Sequence, residues 1–374
     1  MTVDWPEDLV PPPFADGDRP GLLDVLAPLR DTGTEPHGRE LIILLDGLGH
    51  DLLMENLALT PNLRALREQI EPVQTIFPST TAVAMTSLHT GEAPLRHGVV
   101  GYRTFDPVSG DAVHQLRGQD GIDPATWMPL PGLAESTDRR CIQVAPARHQ
   151  GSLLSGGSFR RWSFAGHGRS DRVGVALRAL YRAGENGIVH LHVDDIDHSG
   201  HLYGTGSQAW RDALSDADAV VGALLRRAPT ETRIRVTADH GMVDTAPELL
   251  VDLSRHDRIA RSVRAVSGEA RALMLHVQDG ADPGAVAASV QDAVGERALA
   301  LTREQALEAG LWGAPGERPA LRVHGRLGDV VVLARGRHTV ELTHLRPVGD
   351  SALTGVHGSL TAREAIVPLL VTEV

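Results

Sequence analysis

This sequence predicts an α/β fold with a mostly parallel central sheet and a small inserted α+β unit, on three observations. Apolar, branched runs of strand length recur at LIILL (41–45), IVHLHV (188–193) and RIRVTA (233–238), the pattern of strands covered on both faces. Helix-length segments separate the later runs, giving β-α-β order. Asp or His follows several of the runs, at the ends where open α/β sheets place their chemistry. With 374 residues, the chain suits one large domain carrying an insertion, or two domains.

In chain order, residues 1–38 hold Pro6, Pro11, Pro12, Pro13, Pro20, Pro28 and Pro36 around one apolar stretch, GLLDVLAPL, and predict an arm wrapped on the domain. LIILL gives a central parallel strand ending at Asp46-Gly47. A helix is predicted from Pro61 to about Gln69 with Thr60 as N-cap, then a short strand over VQTIF ending at Pro78. AVAMTSLHTG reads as a short helix stopped by Gly91. That stands the Thr80 and Thr81 hydroxyls at a helix N-terminus, where backbone N–H groups and the dipole favour an anion.

Residues 100–170 are irregular, with CIQVAP (141–146) as a buried strand and Tyr102, Trp127 and Trp162 in a region able to form a substrate rim. A helix over about 171–183, the strand 188–193, an acidic DDIDHSGH loop, a long helix over about 207–227 and the strand into Asp239 complete the alternation. Between 248 and 319 the order changes to ALMLHV, an alanine-rich helix at 282–294 and TREQALEAGL capped by Thr302, which predicts a small inserted cap. GDVVVLA (328–334) and AIVPLLV (365–371) predict a return to the core, so that 39–247 and 320–374 form the catalytic unit.

Composition excludes several functions. The formal charge is −12 and every basic residue counted is Arg, there being no Lys, so a nucleic-acid polymer would be repelled by a surface on which the Arg are dispersed. Small phosphorylated substrates stay allowed, because bound divalent cations offset local negative charge. One cysteine, Cys141, excludes an intramolecular disulfide and a cysteine-based zinc site. The N-terminal residues have neither a basic n-region nor an apolar stretch, and no run approaches the roughly 18 apolar residues of a membrane span. A cytoplasmic protein with no membrane partner is the expectation.

Five short motifs carry the chemistry: Asp46 in LLDGLG, Thr81 in FPSTTA, Asp197 and His201 in DIDHSGH, Asp239-His240 in VTADHG and His357 in GVHG. Three Asp and three His divide evenly into two three-ligand sets of the kind zinc takes, with one position left open for water or substrate. Asp194 and His198 form a rival frame four residues apart, with Asp195 also available. Gly241 would permit the sharp turn that adjacent Asp239 and His240 need to reach one ion. His190 and His192 alternate along their strand and read as packed or supporting histidines; His50, His89 and His97 have no assigned part. A threonine hydroxyl is a poor nucleophile near neutrality, and metal coordination is its simplest activator.

These motifs resemble the alkaline phosphatase superfamily, and most closely its nucleotide pyrophosphatase/phosphodiesterase branch, over about 41–102, 188–244 and 355–371. The resemblance implies an alkaline-phosphatase-like three-layer αβα sandwich with a small inserted α+β cap. Thr81 stands ten residues before Gly91 in TSLHTG, the family's spacing for its nucleophile, which selects Thr81 over Thr80. By the same resemblance, one Zn2+ is held by Asp46, Asp239 and His240 and touches Thr81, and a second by Asp197, His201 and His357. Attack by Thr81 on a small phosphorylated substrate, possibly a nucleotide, then gives a phosphothreonine. Counting from HGVVG, Tyr102 stands where the branch carries a phosphoryl-contacting Asn, and a phenol can donate there. A sulfatase is disfavoured, since it requires Cys or Ser at position 81 and Arg at Met85.

Alternatives on the same core are a phosphomonoesterase or a phosphonate hydrolase, which positive charge near the nucleophile would favour, with Arg96 and Arg103 nearby in sequence. A metal-stabilised binding protein without turnover is a different class. Mutase chemistry requires a specific sugar or glycerate site, which is not identifiable here.

Overall fold

The structure, a computed structural model, describes residues 3–17, 21–30, 38–117, 121–345 and 353–374. Of the N-terminal prolines, Pro20 and Pro36 lie outside the described residues. The main sheet is built from β1 (Arg39–Leu45), β2 (Ile70–Gln74), β3 (Cys141–Pro146), β4 (Ser163–His167), β5 (Ile188–Val193) and β6 (Thr232–Thr237). It is joined, after a second sheet made of β7 (Val263–Glu269), β8 (Ala272–Val277), β9 (Ala298–Thr302) and β10 (Val330–Ala334), by β11 (Ile366–Glu373). The order across the main sheet is β2-β11-β6-β1-β5-β3-β4. Only β11 runs against its neighbours.

β1 is the middle strand, and its residues from Glu40 to Leu45 are all buried, as are all six of β5. Both faces of the sheet are therefore covered, which is why these strands read as continuous apolar runs without alternation. Because β5, β1 and β6 are adjacent and parallel, their carboxyl ends bring Asp46, Asp194 and Asp239 to one edge.

Helices α1 (Pro61–Arg64), α2 (Thr81–Thr90), α3 (Arg172–Ala183), α4 (Asp195–Tyr203), α5 (Gln208–Arg227) and α6 (Pro283–Val294) carry the connections. α2 is buried at every residue and ends on Gly91, whose φ of 71° is left-handed. Thr302 caps the helical turn Arg303–Glu308 with Gln305 reciprocating, as its sequence predicts.

Four local expectations need correction. DDIDHSGH is not a loop: from Asp195 it is the helix α4, which puts Asp197 and His201 on one face at i and i+4. The helix from Pro61 breaks into α1 and a 3-10 turn at Arg67–Gln69, and Thr60 makes no side-chain cap. Asp218, on α5, caps instead, accepting from Asn62 N at 3.1 Å and Leu63 N at 2.9 Å. The strand placed over VQTIF is shifted to Ile70–Gln74; Pro72 lacks a donor, but β2 is an edge strand, where that is tolerated.

The fourth concerns GDVVVLA, whose strand β10 lies in the second sheet, order β7-β8-β10-β9 and antiparallel throughout. One face, with Leu273, Leu275, Val330 and Val332, packs on α6 residues Val286 and Val290. The other, with Met274, Val331 and Leu333, packs on Phe77, Leu95 and Val100. Burial on both sides erases the alternation that would mark an antiparallel strand.

Candidate metal centre

Asp46 follows β1, Asp197 and His201 lie on α4 just after β5, and Asp239-His240 follow β6. His357 arrives on the two-stranded pairing of Gly355–Val356 with Val243–Asp244, and Thr81 is the first residue of α2. In each of two groups, Asp46–Asp239–His240 and Asp197–His201–His357, one ligand-type atom per residue lies within 4.8 Å of the others. Thr81 Oγ1 stands 3.4 Å from Asp46 Oδ1 and 3.1 Å from His240 Nε2. The neighbouring Thr80 hydroxyl is buried and reaches none of these groups.

The three imidazoles share one arrangement. His201 Nδ1–H donates to Gly355 O at 2.8 Å, His240 Nδ1–H to Gly241 O at 2.9 Å and His357 Nδ1–H to Ser79 O at 2.9 Å. Each Nδ1 thereby fixes its ring and leaves the Nε2 lone pair facing the carboxylates, the orientation a metal ligand needs. Asp239 is held likewise: Oδ1 accepts from Gly47 N at 3.2 Å and His240 N at 3.1 Å. Its Oδ2, and Oδ1 of Asp197, are buried with no hydrogen-bond partner among the described residues. Two orphaned carboxylate oxygens among three Nε2 atoms fit a pair of cations.

Electrostatics point the same way. Burial raises the Asp46 carboxyl well above its ordinary range, and the charges of Asp239 and Asp197 raise it further. Burial also works against ionising Asp197, but His201 beside it holds that carboxyl well below the usual range. Burial opposes charging His201, and the Asp197 carboxylate more than offsets it, raising His201 to about 9. His357 is pushed well down by burial and by His240. Protons held on Asp46 and His201 offset the negative charge of three carboxylates brought this close, and divalent cations would take the place of those protons.

Gly241 allows the Asp239-His240 approach for a reason other than a left-handed turn. A Cβ there would lie 1.9 Å from Arg363 O, so only glycine lets the two backbones meet.

A cavity of about 180 Å3 opens beside Thr81, bounded by Asp46 and Asp197 on one side and by Gln143, Arg148, His149, Ser152 and Ser155 on the other. Asp194 and His198, the rival frame, line it without joining either three-residue group. Arg148 and His149 both pair with Asp194, and Asp195 pairs with Arg172. His192 Nε2 meets Asp46 Oδ2, while His190 Nδ1 meets His89 Nε2 at 2.8 Å away from the cluster. Tyr102 is not among the lining residues; its ring packs edge-on against His114 at 4.3 Å. Arg96 pairs with Glu92 and Glu317, and Arg103 lines a separate cavity. Arg148 and His149 are the rim residues that sequence reasoning misses; their only signal is position, directly after the buried run CIQVAP.

The family model for type I phosphodiesterase / nucleotide pyrophosphatase matches residues 41–360. Over 226 residues, 56% of this chain, the sequence is 24% identical to an uncharacterised pyrophosphatase/phosphodiesterase of Schizosaccharomyces pombe; the chain spans 46% of that relative's length. Murine ectonucleotide pyrophosphatase/phosphodiesterase 5, solved as an inactive variant in complex with AMP, superposes with a TM-score of 0.68 at 17% identity, covering 89% of this chain and 87% of that one. The phosphonoacetate hydrolase of Sinorhizobium meliloti 1021, in complex with phosphonoformate, gives 0.66 at 18% identity over 90% of each chain. At such identities the likeness is one of fold. Among the described residues no helix is long and apolar enough to cross a membrane.

Proposed function

Because this chain belongs to the type I phosphodiesterase / nucleotide pyrophosphatase family, in the alkaline phosphatase superfamily, we propose that it is a metal-dependent hydrolase of phosphate esters that works through Thr81. The observation that carries this is the Thr81 hydroxyl, 3.1 Å from His240 Nε2 and 3.4 Å from Asp46 Oδ1, at the amino end of a fully buried helix. Asp46, Asp239 and His240 would hold one divalent ion and Asp197, His201 and His357 another, with zinc favoured by the mixed imidazole and carboxylate donors. Bound there, the ions supply Lewis-acid stabilisation of phosphoryl oxygens and lower the pKa of a coordinated hydroxyl or water.

The chain's own residues supply the rest. The amino end of α2 orients its dipole toward the phosphoryl group. Thr81 Oγ1, losing its proton to solvent, attacks phosphorus in line with the ester oxygen, which departs with the bonding pair and leaves a phosphothreonine. Water then attacks that phosphorus and gives up a proton, the P–Oγ1 bond breaks with its electron pair on Oγ1, and Oγ1 takes up a proton to restore Thr81.

Phosphodiesters or pyrophosphates are the leading substrates on family grounds. A monoester or phosphonate reading is favoured by Arg148, a cation on the cavity wall, and by the cavity's volume of about 180 Å3, below the roughly 300 Å3 at which pockets for larger ligands begin. The test compares bis-p-nitrophenyl phosphate with p-nitrophenyl phosphate on metal-analysed protein, wild type beside Thr81→Ala. Two ions per chain with diester hydrolysis lost by at least ~10³-fold in Thr81→Ala is the expected result; monoester preference moves the assignment to a phosphatase. Turnover retained in Thr81→Ala would remove the nucleophile from this reading.

A further inference from the structure

Arg271 and Glu364 form an ion pair in which both side chains are 0% exposed. Arg271 stands in the turn between β7 and β8 of the second sheet, and Glu364 in the helical turn Ala362–Ala365 that leads into β11 of the main sheet. Nε meets Oε1 at 3.0 Å and Nη2 meets Oε2 at 2.5 Å, a two-point contact, while Nη1 donates to His338 O.

From Glu364 a continuous series of hydrogen bonds runs to His357. Oε1 accepts from Ser359 N at 3.1 Å and Oε2 from Thr361 Oγ1 at 2.6 Å. Ser359 O accepts from Ser79 Oγ at 2.7 Å, and Ser79 Oγ itself accepts from Gly358 N at 3.2 Å. Ser79 O in turn accepts the His357 Nδ1–H. The second sheet also leans directly on this loop: at Gly358, whose φ is 132°, a Cβ would lie 2.6 Å from Glu269 Cγ and 3.3 Å from Arg271 Cβ.

A buried pair whose partners belong to different structural units is weak evidence for stability, and its best-attested use is to fix a registry. We propose, resting on the two-cation reading above, that Arg271 and Glu364 are positioning residues. Docking of the β7–β8 turn sets the 357–364 loop so that His357 Nε2 stays in register with Asp197 and His201. The second sheet thereby tunes the affinity of that group for a divalent cation. The Asp46–Asp239–His240 group, carried on the ends of β1 and β6, is joined to this turn by a backbone bond, Gly241 N to Glu364 O at 2.8 Å, which a change in the Glu364 side-chain charge leaves in place.

Calorimetric titration of metal-stripped, full-length protein with Zn2+ tests this. Wild type should take up two ions in two resolvable steps, and His357→Ala identifies the step that belongs to the Asp197 group. Glu364→Gln, which keeps the side chain's shape and removes its charge, should weaken that same step by about ten-fold or more, with the other step little changed. Weakening of both steps alike, or of neither, overturns the positioning role. A wild type that binds no pair of ions overturns the metal reading instead. Should Glu364→Gln lack a native circular dichroism spectrum, Arg271→Lys decides: it keeps the charge but loses the two-point contact, and the role stands only if the Asp197-group step alone is weakened.

Discussion

His192 Nε2 lies 2.7 Å from Asp46 Oδ2, while the other oxygen of that carboxylate faces Thr81 and His240. One oxygen is anchored by the strand β5 and the other is presented to the cluster. His192 thus belongs to the site through Asp46, and substituting it tests more than packing. His192→Ala should weaken cation binding by the Asp46 group by about 10–100-fold, as removing an outer hydrogen-bond partner of a ligand typically does. Competition against a metallochromic chelator measures it, and an affinity equal to wild type would detach His192 from the site.

Arg148 is the cation closest to hand on the cavity wall, and its side chain is 64% exposed. A phosphate monoester carries one more negative charge than a diester, so Arg148→Ala should lower the monoester-to-diester ratio of kcat/KM by about ten-fold, equivalent to ~1.4 kcal/mol. Metal content should not change. An unaltered ratio would mean that Asp194 keeps the guanidinium fully engaged.

Acid should destabilise the fold through its buried neutral histidines. Burial pushes His97, His190 and His276 each down to about 3, whereas the unfolded chain takes up these protons near pH 6.5. Their contribution is present above about pH 6.5 and is lost as the pH falls toward 3. His97 Nε2–H donates to Ser87 Oγ and its Nδ1 accepts from Val99 N, so its ring cannot be charged without losing a bond. The melting temperature of wild type should fall between pH 6.5 and 4, and His97→Gln should flatten that slope; parallel curves would contradict this account.

Asp218 supplies the cap that Thr60 does not, and Asp218→Ala should cost about 2 kcal/mol, a lost cap combined with unpaired amides. Urea denaturation reads this directly. Thr60→Ala, whose hydroxyl has no partner among the described residues, should cost less than half as much.

Much of this architecture is legible in the residues, and the failures have common causes. Asp46 and Asp239 can be located because each follows an apolar run, and covered parallel strands leave that signature plainly. The α4 segment hides because Asp195, Asp197, His198 and Gly200 are poor helix formers, and its helicity comes from tertiary contacts. β10 hides because burial on both faces makes an antiparallel strand look like a central parallel one. Arg148, His149 and the Asp218 cap follow from long-range packing, Asp218 reaching Leu63 across 155 positions, and no local pattern encodes such a meeting.

The helix α2 has no outward face, since all ten of its residues from Thr81 to Thr90 are buried. A helix gripped on every side cannot swing or slide without opening the core around it. The hydroxyl at its tip is therefore an anvil: substrates must be brought to it. Selectivity is then tuned in the wall made by Leu116, Gln143, Arg148, His149, Ser152 and Ser155, where side chains can be exchanged while the anvil stays where it is.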